Sequence, residues 1–472
     1  MNGSEPVNHL SSREGASRSV MMDLEEAARA VGGTLRGANA GFSGVTTDSR
    51  AVNAGDLFVA LRGERFDGNE YVEQAMRHGA AAALTSRAAE GGVPISQVVV
   101  TDTRLALGRL AAHWRERFAL PVVALTGSNG KTTVKEMLAS ILAAYCGSRA
   151  PVLATQGNLN NDIGMPLTLL KLRDGHRFAV IEMGMNHEGE IDYLTRIAQP
   201  TVAIVNNAQR AHVGILGSLE AVARAKGEIY AGLDAAGIAV VNEDDPYASY
   251  WKGLNAGRRI VTFGFSESAN VRASAAGSQS RFVTPTDAFA VTLQVRGEHN
   301  VRNAMAACAA AYALEIPLAA MQEGLTHFAG VPGRLQRRRG AFGGAVIDDS
   351  YNANPESMKA ALRVLVDEPG RKVFVMGDMG ELGGDAEAMH AEVGTFAREA
   401  GVDALMALGE ASTHAVQAFG KGAMHFRDLD ALVKAASREA AAGATILVKG
   451  SRFMQMERVA DALAAQGGLN AV

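Results

Sequence analysis

The stretch VVALTGSNGKTTVKEM, residues 122–137, concentrates residue types that handle phosphate. An apolar, β-rich run ends at Leu125, turns through Gly127 and Gly130, and enters a helical pattern at Lys131, Thr132 and Thr133. A glycine turn feeding a helix N-terminus makes an anion site. Backbone N–H groups point at phosphate oxygens and the helix dipole adds favourable charge. Lys131 can reach the β and γ phosphates, and Thr132 or Thr133 can hold Mg2+. The nucleotide-binding candidates are therefore Gly127, Ser128, Asn129, Gly130, Lys131, Thr132 and Thr133. The common pattern G-x-x-x-x-G-K-[ST] needs a glycine where this chain has Leu125, so the loop is the shorter G-x-x-G-K-T-T.

A dication needs hard oxygen ligands beyond one hydroxyl. Glu182 ends the apolar run VIEMG, in the zone where parallel sheets put ligands. A carboxylate there is costly unless a cation or hydrogen bonds meet it, so metal ligation and a structural pairing both account for it. His212 follows another strand end, in VNNAQRAHVG; a lone loop histidine is more often structural. Lys226 lies in the helical run EAVARAKGEIY, where a lysine is ordinarily a solvated surface residue.

The elements that must position these residues alternate along the chain. Residues 21–118 read as a small α/β unit, with helices over 22–31, 71–78 and 103–118 and strands at 57–61 and 97–101. In residues 119–332, short buried β-branched runs at 121–126, 178–183, 201–206 and 237–242 predict a parallel sheet. The stretch 258–297 reads as an antiparallel insert, with AVTLQV (290–295) a half-exposed strand before a helix over 298–314. Residues 333–472 restart the alternation, with strands at 344–349, 371–377, 403–409 and 444–450, which predicts a second doubly wound domain. Helix periodicity after the loop is clear: Val134, Met137, Leu138, Ile141 and Leu142 share one face.

The chain has 472 residues and a formal net charge of −4, which argues against a partner bound by phosphate neutralisation such as nucleic acid. Its one short basic cluster, Arg337-Arg338-Arg339, reads as a solvated loop face. Two cysteines, Cys146 and Cys308, are no disulfide framework and suggest a reducing, cytoplasmic setting; both read as packing residues. No apolar run reaches the roughly 18 residues of a membrane span. Residues 1–20 are polar, lack the apolar region of a signal peptide and read as a disordered tail.

TGSNGKTT, the strand-end Glu182, NNAQRAH and ARAKGEIY, in this order, resemble the Mur ligase family, the ATP-dependent amide ligases of peptidoglycan precursor synthesis. The resemblance covers the chain after the tail. It implies an α/β protein of three domains: a UDP-substrate domain, a central ATPase domain and a C-terminal Rossmann-like domain. It also implies ATP, two Mg2+ sites and roles for individual residues. Lys131 and Thr132 match the phosphate and Mg2+ contacts, Glu182 a metal ligand and His212 a ligand of the second metal. Lys226 matches the lysine that the family carbamylates with CO2, which turns an ammonium into a metal-binding anion. Asn300 and Asn303 match the segment that meets adenine, Arg334 an arginine near the γ-phosphate, and Asp349 the aspartate at the ribose. Asn160 and Asn161 match a segment lining the substrate side. Catalytic roles are thus expected of Lys131, Lys226, His212 and Arg334.

VTTDSRAVNAGDLFVALRGERFDGNEYVEQAMRHGA (45–80) resembles the uridine-binding domain shared by the ligases adding the third residue and the final dipeptide, with Asp48, Ser49 and Arg50 as contacts. Asn69 stands where the common form has histidine. DDSYNANPESMKAAL (348–362), VMGDMGELG (375–383) and LVKGSR (447–452) resemble the branch adding the dipeptide, with Asn352 and Asn354 on the substrate side. The D-N-P-R signature of the diaminopimelate-adding branch is absent. The implied substrates are UDP-MurNAc-tripeptide and D-Ala-D-Ala, handled by a monomer without a membrane. Activation through an acyl phosphate follows, because a carboxylate is a poor acyl donor. Rival readings are a sister ligase adding the third residue, a folylpolyglutamate synthase-like ligase, a non-catalytic nucleotide-binding protein with a relic loop, and a P-loop kinase.

Overall fold

A computed structural model describes residues 19–88, 95–276, 279–341 and 344–465. The expected tail falls almost wholly outside them. The chain divides into two compact units, Met1–His113 and Trp114–Val472.

In the first unit, strands Gly44–Thr46, Asp56–Val59, Ala82–Thr85 and Ser96–Val99 lie side by side in parallel, and Thr34–Arg36 adds an antiparallel edge. Helix Leu24–Val31 starts where Asp23 accepts from the Glu26 N–H and ends at Gly32 in the left-handed conformation. Phe58, Ala60, Val72, Ala75, Ala83 and Ile95 form one buried cluster. The expected helix over 71–78 is Val72–Arg77, preceded by a 3-10 turn, Gly68–Tyr71.

The second unit carries two six-stranded sheets and a small antiparallel one. The first sheet is wholly parallel, in the order Arg259–Phe263, Ile238–Asn242, Val202–Val205, Val122–Thr126, Phe178–Glu182, Val152–Ala154. Its central strands are buried along their whole length, which is why they read as unbroken apolar runs. Helix Lys131–Cys146 packs against helices Glu298–Ala313 and Leu318–His327. Gly324 permits that approach, since a Cβ there would stand 2.4 Å from the Ile141 Cα.

The second large sheet runs Gln336–Arg339, Ala345–Asp349, Thr445–Lys449, Lys372–Gly377, Ala404–Leu408, Ala423–Phe426, parallel except for the first strand. Separate apolar clusters cover its two faces, as in a doubly wound domain.

Three readings need correction. The antiparallel insert is shorter than expected: Arg272–Ala276, Gln279–Val283 and Ala288–Val291 form it, while Arg259–Phe263 is a parallel edge strand of the main sheet. AVTLQV keeps only its first two residues in a strand. The arginine cluster is no loop. Residues Gln336–Arg339 form an antiparallel edge strand, with Arg337 bonded to Glu368 and Arg338 to Asp348 and Asp461. Charge on an edge strand hides its period of two while protecting the edge.

Candidate active site

Strand Val122–Thr126 delivers the chain to Gly127, and Gly130 turns it at φ +81° into helix Lys131–Cys146. No side chain caps that helix, so its first N–H groups face the loop. Lys131 folds back to donate to the Gly127 carbonyl at 2.7 Å. Burial lowers its pKa, and the carboxylates of Glu182 and Glu381 oppose the shift.

Buried amides hold the loop in place. Asn206 and Asn207, just past strand Val202–Val205, both donate to the Asn129 carbonyl, at 2.9 and 3.0 Å. Asn207 Oδ1 accepts from the Asn129 N–H, and Gln209 bonds both Ser128 and Asn129. Asn303, expected near adenine, has its Oδ1 bonded by Asn206 at 3.1 Å beside Gly130. Asn300 donates to the Arg296 carbonyl and accepts from Asn303.

Glu182 is 2% exposed and ends its strand pointing at the loop. Thr132 donates to one of its carboxylate oxygens at 2.9 Å and Asn160 to the other at 2.8 Å. Arg334 donates to the same Thr132 hydroxyl at 2.9 Å while its guanidinium stacks 4.2 Å from the Tyr351 ring. Lys131, Thr132, Glu182, Asn160 and Arg334 thus form one cluster. Thr133 is buried beside it on the first helical turn.

Lys226, read on its own as a surface residue, is 1% exposed. Burial, then the charge of Lys131, pushes its pKa well below the ordinary value. No hydrogen bond or ion pair meets its ammonium among the described residues. His212 takes a left-handed conformation, φ +64°, and its Nδ1 lies 2.7 Å from Glu381 Oε2. That contact, with Lys131 further off, holds the Glu381 carboxyl below its usual range.

The remaining candidates divide. Asp349 is buried, which raises its pKa against the pull of Lys449, 2.5 Å away; its other oxygen accepts from the Leu335 N–H. Asn352 is exposed, and its carbonyl accepts from Lys449. Asn354 caps helix Pro355–Val366 and forms a reciprocal amide pair with Asn129. Asn161 caps the turn into helix Gly164–Leu169, away from any bond to Glu182. In the first unit, Asp48 holds Arg50 through both carboxylate oxygens, and that hydrogen bonding lowers Asp48 to about 2. Ser49 donates to Gln74, which with Glu70, Tyr71, Glu73, Arg77 and His78 lines a groove of about 390 Å³. Asn69 bonds Asp67 and Ser86, so it ties the turn to the next strand end.

Among the described residues no three His, Cys, Asp or Glu side chains cluster as a metal site. Mg2+ bound with phosphates needs no such cluster; a hydroxyl and a carboxylate already 2.9 Å apart fit it. Sequence reading passed over Asn206, Asn207, Gln209 and Glu381. The signal for the first three was a polar run directly after a buried strand, where unbonded amides would be costly.

A phosphate loop on a parallel sheet, facing a buried carboxylate and joined to a second doubly wound domain, defines a P-loop nucleotide enzyme. Family models match along the chain: the Mur ligase family catalytic domain over residues 41–115, the Mur ligase middle domain over 125–311, and the Mur ligase glutamate ligase domain over 333–452. The chain is 42% identical to UDP-N-acetylmuramoyl-tripeptide--D-alanyl-D-alanine ligase of Escherichia coli K12, over 95% of this chain and 99% of the relative. It resembles a crystal structure of MurF from Acinetobacter baumannii at a TM-score of 0.86 and 39% identity, covering 92% and 97% of the two chains. It also resembles MurF ligase from Thermotoga maritima in complex with ADP, at 0.78 and 28% identity over 89% and 96%. The chain belongs to the Mur ligase family.

Proposed function

We infer that this chain joins D-alanyl-D-alanine to UDP-N-acetylmuramoyl-tripeptide at the expense of ATP, in peptidoglycan precursor synthesis. The observation that carries the chemistry is the bond from Arg334 to Thr132, which brings the start of the C-terminal domain onto the phosphate loop. The acceptor and the amine come from the relatives, which match nearly the whole chain.

The tripeptide carboxylate attacks the γ-phosphorus and ADP leaves, giving an acyl phosphate. The dipeptide amine attacks the acyl carbon; phosphate leaves and the amine gives up a proton. Lys131 and Arg334 neutralise charge on the transferring phosphoryl group. Thr132 and Glu182 would hold Mg2+, which supplies further neutralisation. His212 and Lys226 are proposed for a second metal. Lys226 suits carbamylation because burial favours the neutral amine that reacts with CO2, releasing one proton and leaving an anion. Asp48, Ser49 and Arg50 are proposed uridine contacts. Asn300, Asn303 and Asp349 are proposed at the nucleoside, and Asn160, Asn161, Asn352 and Asn354 on the substrate side. Domain limits are proposed near residues 118 and 332. The working unit is proposed as a cytoplasmic monomer, where ATP and UDP precursors are available. Among the described residues no helix is long and apolar enough to cross a membrane.

The test is phosphate release with ATP, Mg2+ and UDP-MurNAc-tripeptide, with and without D-Ala-D-Ala, and mass spectrometry of the product. Dipeptide-dependent release with a UDP-pentapeptide product supports the reading. Release with a single amino acid and a shorter acceptor moves the chain to a sister ligase. A product that keeps the phosphate moves it to a kinase.

A further inference from the structure

The loop after strand Val202–Val205 has a part that the chemistry above does not use. Gln209 is tied to the phosphate loop, accepting from Asn129 Nδ2 at 2.6 Å and donating to Ser128 Oγ at 2.9 Å. The next residue, Arg210, faces the C-terminal domain. Its Nε donates to Glu356 at 2.5 Å, and its two terminal nitrogens donate side by side to the two oxygens of Glu392, each at 2.9 Å. Glu356 lies on helix Pro355–Val366 and Glu392 on helix Ala386–Glu399, so one guanidinium grips two helices. Lys359 bonds Glu392 as well. The group is partly shielded, with Arg210 30% and Glu392 35% exposed, and the flanking bonds fix its geometry.

We propose that Arg210 is a positioning residue for the ligase reaction: it fixes the C-terminal domain on the phosphate loop in the arrangement from which the amine attacks. Three observations converge on this. The forked, two-helix contact uses the guanidinium's planar set of donors, which a lysine cannot reproduce. Residues close by on either side are committed to the site, Gln209 just before it to the loop and His212 two residues after it to Glu381. The same seam is crossed nearby by the Asn129–Asn354 amide pair and by the Gly214 N–H donating to the Glu381 carbonyl. The loop keeps its own bonds to Asn206, Asn207 and Gln209, so losing the Arg210 contact frees the placement of the C-terminal domain more than the loop itself. The kinetic part of this proposal rests on the ligase reading; the structural part does not.

The experiment compares full-length wild type, Arg210→Met, Arg210→Lys, Glu392→Gln and Arg210→Met/Glu392→Gln. Thermal melts verify folding, and Glu392→Gln supplies the mild variant if Arg210→Met is unstable. Arg210→Met is expected to raise the dipeptide KM about tenfold, the scale of a charge-assisted contact. Binding of an ATP analogue alone should move less than about twofold. Because the two residues act on one contact, the double variant should be no worse than Arg210→Met, whereas independent effects would add. Arg210→Lys should recover only part of the loss. By X-ray scattering with ATP analogue, Arg210→Met should stay more expanded than wild type whatever the acceptor. Additive losses, an unchanged dipeptide KM, an equal loss of nucleotide affinity, or wild-type compaction would overturn the proposal. A wild type without dipeptide-dependent phosphate release would instead sink the ligase reading, leaving the scattering comparison to decide on Arg210.

Discussion

Replacing Gly130 by alanine should damage nucleotide binding, and the structure sets the size of the effect. Gly130 has φ +81°, a region where a side chain costs about 1–2 kcal/mol. A Cβ there would stand 2.2 Å from Asn303 Oδ1 and 2.6 Å from Asn206 Nδ2. Neither amide can swing aside freely, because Asn206 donates to both the Asn129 carbonyl and Asn303. Moving them sacrifices two hydrogen bonds at about 1 kcal/mol each. The sum is about 3–4 kcal/mol, against a typical total stability of about 5–15. If the loop relieves half of it by shifting, ATP affinity falls by roughly tenfold or more, since 1.4 kcal/mol is a factor of ten. Gly147, at the other end of the same helix, is the control: φ is +74° and a Cβ there meets nothing within 4 Å. Gly147→Ala should cost only the backbone strain and leave ATP affinity unchanged. Urea unfolding and titration with an ATP analogue measure both. Equal effects from the two substitutions would refute the argument, because the amide clash would then carry no weight.

Two further outcomes follow from buried ionisable groups. In CO2-depleted buffer, Lys226→Met should abolish turnover yet leave the fold at least as stable at pH 7, because a buried amine without a bonded partner among the described residues gives way to an apolar side chain of similar length. An active or destabilised variant would contradict this; added acetate restoring some activity to Lys226→Ala would support the carbamate. Burial, then the charges of Lys449, Arg302 and Arg363, lowers the His299 imidazole to about 4 from the usual 6.5. The unfolded chain then binds more protons between these values, so this contribution to stability is whole above pH 6.5 and is lost as pH falls towards 4. The loss amounts to about 3 kcal/mol at the acid end. His299→Phe should flatten the stability profile across that window in denaturant titrations, and an unchanged slope would rule out His299 as its source.

The legible parts of the fold were those with one strong physical signal. Strands Val122–Thr126 and Phe178–Glu182 are buried on both faces and carry apolar residues without interruption, so their existence and type followed directly. Val152–Ala154 and Ala423–Phe426 are short edge strands with few residues to pack, and they left no such pattern. In the site, residues stood out when their type was costly in context: a lysine after a glycine turn, a carboxylate at the end of a buried strand. Lys226 did not, since a helix face cannot be assigned to solvent or core from one lysine among alanines. Nor did Asn206, Asn207 and Gln209, because their partners are other polar groups more than 70 residues away in the chain. Polar groups satisfying one another across long separations leave no periodic trace.

The bonds at the loop also explain how the site can accept a highly charged ligand without first breaking ion pairs. Lys131 donates to a neutral carbonyl, and Arg334 donates to a hydroxyl and stacks on a ring. Glu182 is met by a hydroxyl and an amide, and among the described residues no cation is bonded to it. Each of these three charges is thus held in place by neutral partners. Exchanging a carbonyl for a phosphate oxygen at Lys131, or a hydroxyl for a dication at Glu182, replaces a weaker interaction with a charge-assisted one. Had Lys131 and Glu182 been paired directly, binding would have had to separate two buried charges before gaining anything, at several kcal/mol. Keeping them apart lowers the stability of the fold but leaves the electrostatics aimed at the reacting phosphate, where oriented charge contributes most to rate. Lys226, buried with no partner among the described residues, carries the same logic furthest: its position costs stability unless its amine is neutral or converted to an anion, and both routes suit the chemistry proposed for it.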